Sequence, residues 1–160
     1  PYISRNFTPR FIPITAARNL LQDMAPNSNL TRSLIIEMID LGKRQYILKK
    51  VLPKTNDADL FGYSAAQYAA TANAEQDIWS FLLKMNLVYS KDPKVAKQLL
   101  GEGPFSIYFG NEIPGNVGLY LGYQIVKSWM EQQSEQDQAN LKALLQMSAE
   151  KIFAESKYKP

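Results

Sequence analysis

Residues 114–130 read PGNVGLYLGYQIVKSWM, and this stretch decides the fold. Pro114 and Gly115 open it. Gly118 and Gly122 follow three and seven residues after Gly115, so a helix through the segment carries all three glycines on one side. A glycine inside a helix costs about 1 kcal/mol relative to alanine. A stripe of them therefore predicts a helix pressed close against another backbone. The residues between support the helix over a loop: Leu121, Ile125 and Trp129, with Val126 and Met130, repeat at i, i+4. The glycine spacing is not the dinucleotide fingerprint, and no strand pattern adjoins it.

A partner for this face lies upstream. From Thr31 to Leu52 the sequence predicts a long helix ended by Pro53, with Leu34, Met38, Leu41, Leu48 and Leu52 on one stripe. Gly42 falls on that same inner side, and two glycine faces can approach more closely than any other pair. Gly42, Gly115, Gly118 and Gly122 are thus the expected packing residues.

The other elements read as helices. Pro1 to Pro13 suggests an extended or single-turn segment, and Thr15 a cap for a short helix through Met24, stopped by Pro26. Ser64 and Gln67 fit a capping box, flanked by Tyr63 and Tyr68 as a hydrophobic staple, for a helix running to about Met85 with Tyr68, Ala72, Ile78, Trp79 and Leu82 inward. Asp92 caps a short helix with Pro93 at its first position, ended by Gly101 or Gly103. Phe105 to Phe109 is the one stretch with strand character, or else an aromatic loop tucked under the glycine helix, and Gly110-Asn111 makes a turn. Ser134 with Asp137, and then Ser148, start the last helices, the first with Leu141, Leu144 and Leu145 inward. The expectation is a mainly α fold in a single domain over residues 1–160, with at most one short strand near 105–109.

Composition bounds the chemistry. A chain of 160 residues buries about 70% of its unfolded surface. Its net charge of +3 comes from basic residues scattered among 15 acids, which argues against nucleic acid. There is no cysteine and no histidine, which removes thiol nucleophiles, the serine triad, thiolate metal sites and the common zinc ligands. No apolar run approaches the roughly 20 residues that cross a bilayer. The abrupt start at Pro1 and the lysine-rich Lys157-Tyr158-Lys159-Pro160 end read as those of a fragment of a longer protein. No catalytic residue, metal or cofactor is expected.

Two acids stand on apolar rows: Glu37 on Leu34, Glu37, Leu41, and Glu75 between Ala72 and Trp79. A buried carboxylate requires a partner. The five arginines (Arg5, Arg10, Arg18, Arg32, Arg44) all precede residue 45 and suit bidentate pairing. Glu37 and Glu75 with Arg5, Arg18 and Arg44 are therefore candidates for a buried ion-pair network or a ligand-binding or former metal-binding cleft. A hydrolytic carboxylate pair is a further option, although helical spacing alone does not set its separation. Tyr120 and Tyr123 on the glycine helix are placed to line a groove, neither as a catalytic group.

Four blocks taken in order, GKRQYILKKVLP (42–53), LFGYSAAQ with EQDIW (60–79), the 114–130 stretch and SKYKP (156–160), resemble the C-terminal half of the GldB-type gliding-motility lipoproteins of Bacteroidetes. That family is distantly similar to zincin-like peptidases that carry an HExxH helix and a later glutamate ligand. The resemblance places Glu37 about where those peptidases carry that glutamate. It places Glu75 in an N-E-x-x-I-W motif whose asparagine is Ala74 here, and Asn116 where arginine is expected. It implies a non-enzymatic, zincin-like helical scaffold in the periplasm-facing cell envelope, with membrane attachment only through a lipid anchor on an upstream cysteine. Its partners would be other envelope proteins of gliding and the associated type IX secretion machinery. Two alternatives stay open: the C-terminal half of a zinc-dependent metallopeptidase whose HExxH lies upstream, and a domain binding a small polar or peptidoglycan-like ligand.

Overall fold

In the computed structural model, residues 9–24 and 32–160 are described. Ten α-helices run through them: α1 (Ile12–Asp23), α2 (Leu34–Val51), α3 (Asp57–Phe61), α4 (Ala65–Asn73), α5 (Glu75–Lys84), α6 (Pro93–Leu100), α7 (Val117–Met130), α8 (Glu135–Ala139), α9 (Leu141–Gln146) and α10 (Ala149–Ser156). Among the described residues there is no strand; Ser106 and Gly110 form one isolated antiparallel bridge. The mainly α expectation holds, and the FSIYF stretch is the aromatic loop. That loop sits on α5 rather than under α7, with Phe81 packed on the rings of Tyr108 and Phe109 at 5.8 and 5.2 Å.

Helices α2 and α7 form the centre. Each is buried on most of its circumference, including Leu34, Met38, Ile39 and Leu48 of α2, and Leu121, Ile125, Val126 and Met130 of α7. The other elements pack around this pair: α1 and α9 on α2, α6 and α10 on both. The close approach falls where the glycines are. A Cβ added to Gly42 would overlap the carbonyl group of Gly122 and stand 2.7 Å from the Tyr123 nitrogen. One added to Gly122 would overlap the Met38 carbonyl oxygen. Gly118 faces the end of α6 as well as α2: its Cβ would lie 2.6 Å from Leu100 Cδ2, 2.9 Å from the Leu99 oxygen and 3.3 Å from Met38 Cγ.

Several boundaries need correction. Gly115 is not on the helix, because α7 begins at Val117. Its amide donates to the Gly103 oxygen at 3.1 Å, and a Cβ there would be 3.0 Å from the Gly101 oxygen. The long helix begins at Leu34, and Thr31 lies outside the described residues. Thr15 is inside α1, which starts at Ile12 because Pro13 in the first turn has its φ already set for a helix. The helix expected over 64–85 is two helices, broken at Ala74 (φ −93°, ψ 4°). Just before the break, the Thr71 hydroxyl donates back to the Gln67 oxygen at 2.8 Å. The break shifts the phase, so that Thr71 is buried and Ala72 exposed. The Ser64–Gln67 capping box is present, and Gln67 also reaches the Pro104 oxygen at 2.8 Å.

Because the α2–α7 contact is backbone on backbone, side-chain rearrangement cannot relieve an added methyl there. Gly122→Ala and Gly42→Ala are each expected to lower stability by about 3 kcal/mol or more, and Gly118→Ala by less, since its backbone contact, 2.9 Å to the Leu99 oxygen, is shallower than theirs and its 2.6 Å contact is with a Leu100 methyl that can rotate away. Denaturant unfolding of the purified variants checks that order, and a Gly122→Ala variant as stable as the parent would contradict it.

Candidate functional site

Three of the four blocks singled out in the sequence meet around one side chain, Glu75. It is the first residue of α5, where the helix dipole favours an acid, and Asp77 shares that turn. Its Oε2 accepts from the Tyr120 hydroxyl at 2.9 Å and from Gln124 Nε2 at 3.0 Å. Tyr120 and Gln124 are one turn apart on α7 and are bonded to each other at 2.7 Å. Its Oε1 accepts from the Tyr158 hydroxyl at 2.6 Å. The Tyr158 ring also stands edge-on to Trp79, 5.2 Å between centroids, so the tail clasps both ends of the EQDIW block. The backbone at Ser156 is tied to α7 as well, its oxygen accepting from Ser128 at 3.1 Å and Gln132 at 2.9 Å. Lys157 then turns the chain with a left-handed φ of 50°.

Phe61 extends the cluster, its ring 5.3–5.8 Å from those of Tyr63, Tyr68, Tyr120 and Tyr123. Burial, reinforced by the hydrogen bond to Glu75 and its charge, raises the Tyr120 and Tyr158 phenols well above the ordinary tyrosine range. Burial, with Asp57 nearby, pushes Tyr68 up to about 12. These phenols are neutral donors at physiological pH, which suits them to hold a carboxylate and unsuits them to act as bases. A shallow pocket of about 260 Å³ opens beside Glu75, lined also by Lys127, Lys157 and Lys159.

Among the described residues, Glu75 is held by two hydroxyls and an amide where arginines were expected. Tyr120 and Tyr123 do not line a groove as expected: both are buried in the core. Tyr158, 83 positions from Glu75, carried no local signal. Glu37 is half-buried, and its carboxyl is raised above the usual range by that burial and by Asp40, with Arg32 opposing. The ion-pair network forms beside it instead. Asp40 bonds Arg32 and, at 2.6 Å, Lys43. Lys43 is only 5% exposed and also donates to the Met147 oxygen at 2.8 Å, satisfying a carbonyl at the end of α9. The row Ile39, Lys43, Ile47 was the available signal for a buried lysine. Arg18 donates to the Leu60 oxygen, which Gln45 also reaches at 2.9 Å. Arg18 and Arg44 line one cleft between α1, α2 and the start of α7, apart from the groups that bind Glu75. Arg5 lies outside the described residues.

Among the described residues no three of His, Cys, Asp or Glu come together to hold a metal. Glu37 has Asp40 near it, already bonded to two cations, and this set does not fit a zinc site. No helix of the described residues is long and apolar enough to cross a membrane.

Removing either member of the Glu75–Tyr158 pair is expected to cost about 1–2 kcal/mol, and Glu75→Gln combined with Tyr158→Phe to cost clearly less than the sum. A double-mutant cycle by denaturant unfolding measures this, and strict additivity would show that the bond contributes nothing.

Compared with known families, residues 1–160 match the family model described as Gliding motility protein GldB. No curated protein and no solved structure matches the chain.

Proposed function

The chain belongs to the GldB family of gliding motility proteins, and from that membership we propose that it is a non-enzymatic component of the cell envelope. It supports gliding, and the secretion machinery associated with it, by contact with other envelope proteins. In this reading the parent is a lipid-anchored protein facing the periplasm, in keeping with the lipoprotein label of the family.

The observation that carries the contact reading is an apolar surface. Leu83 and Met85 at the end of α5, Tyr89 in the following turn, and Phe105 and Ile107 in the loop that α5 supports are all 45–62% exposed. Exposed apolar side chains mark protein contact sites where they gather into one patch, and α5 and the 105–109 loop are packed together through Phe81, Tyr108 and Phe109. The conspicuous acid, Glu75, is meanwhile occupied in tying α5 to α7 and to the tail, a structural role that supports the non-enzymatic reading.

Complementation of a strain lacking the gene by the full-length parent provides the test. Met85→Asp with Ile107→Asp is expected to abolish gliding at normal protein level, and Glu37→Gln to leave gliding intact. Normal gliding by the double aspartate variant would contradict the contact reading. Stoichiometric zinc with hydrolysis lost in Glu37→Gln would contradict the non-enzymatic one.

A further inference from the structure

The cleft that holds Arg18 and Arg44 has a composition of its own. It encloses about 240 Å³, and Leu21, Leu41, Leu48, Leu100 and Leu119 make its walls largely apolar. Set into those walls are two guanidinium groups and the amides of Gln45 and Asn116, with the exposed Glu102 beside them.

Two of these groups lack the partners their chemistry calls for. Arg44 is half-buried, and among the described residues no carboxylate is paired with it. Asn116 is only 6% exposed, and its Oδ1 is buried with no hydrogen-bond partner. It occupies the N-cap position of α7, where an asparagine ordinarily accepts from the first turn, yet with φ −87° and ψ 38° it makes no capping bond. A buried orphan acceptor costs about 1–3 kcal/mol. Asn116 lines the cleft, and no capping bond ties up its amide. The uncapped end of α7 also adds partial positive charge to that of the arginines.

We propose that this cleft binds an apolar α-amino or α-amido carboxylate. The carboxylate lies against Arg44 and Arg18, the N–H donates to Asn116 Oδ1, and the apolar side chain lies among the leucines. Guanidinium groups suit a carboxylate because their N–H pairs match its two oxygens. Two sources share this chemistry: a free amino acid such as leucine, whose ammonium Glu102 would receive, and the last residue of a peptide, whose amide N–H Asn116 would receive. The site is independent of the apolar surface on α5.

Titration of the full chain with leucine, N-acetyl-leucine and N-acetyl-leucinamide, followed by calorimetry and by amide NMR shifts, tests it. Saturable binding with a Kd on the order of 1 mM or tighter is expected for at least one of the two carboxylates. Preference for N-acetyl-leucine assigns the peptide source, and preference for leucine the free amino acid. N-acetyl-leucinamide, which lacks the carboxylate, is expected to bind at least about tenfold more weakly, as is the carboxylate to Arg44→Gln. Absence of saturable binding by both carboxylates overturns the proposal. So does equal binding of N-acetyl-leucinamide by the unaltered chain, a comparison that does not depend on the variant folding.

Discussion

The structure depends on two backbones lying against each other without side chains between them. Where α2 crosses α7, Gly42 faces the peptide of Gly122, and Gly122 faces the carbonyl of Met38. Helix axes are ordinarily held 8–10 Å apart by the residues between them. Glycine removes that spacer, and the helices can then bury most of their circumference. The cost is the backbone entropy that glycine forfeits on folding, and extended apolar burial on both helices offsets it. The remaining helices are positioned by the faces this pair leaves uncovered.

The same crossing places the polar groups. Tyr120 lies two residues before Gly122 and Gln124 two after it, so the contact that fixes α7 also fixes the donors to Glu75. The buried Lys43 follows Gly42 directly and carries its charge to Asp40 and the end of α9. At the start of α7, Gly115 lets the chain pass close to Gly101 and Gly103, which brings Asn116 beside the arginines of α2 and α1. Packing and the placement of polar groups thus share one cause.

Much of this was legible in the sequence, for physical reasons. The glycine stripe and the i, i+4 apolar rows are local, so the central helices and their facing sides followed from spacing alone. Caps such as Ser64 with Gln67, and Asp92 before Pro93, are satisfied within one turn and are equally local. What could not be read depends on distant residues. Glu75 looked like a candidate for arginine because a carboxylate on an apolar row requires a partner and arginine suits bidentate pairing, yet the hydroxyl that reaches its Oε1 lies at the far end of the chain. The break at Ala74 was hidden because both halves keep an apolar periodicity, and only the change of phase, burying Thr71 instead of Ala72, marks it. Membership of the GldB family accords with these points: the blocks that carry the resemblance are those that converge on Glu75 and on the glycine crossing.

Native-state hydrogen exchange tests the central claim most directly. If the glycine crossing holds the fold, amides of α2 and α7 near Gly42 and Gly122 exchange only through global unfolding and share one opening free energy, the highest in the molecule. Exchange of the middle of α7 through a smaller local opening, with α1 or α10 better protected, would contradict it.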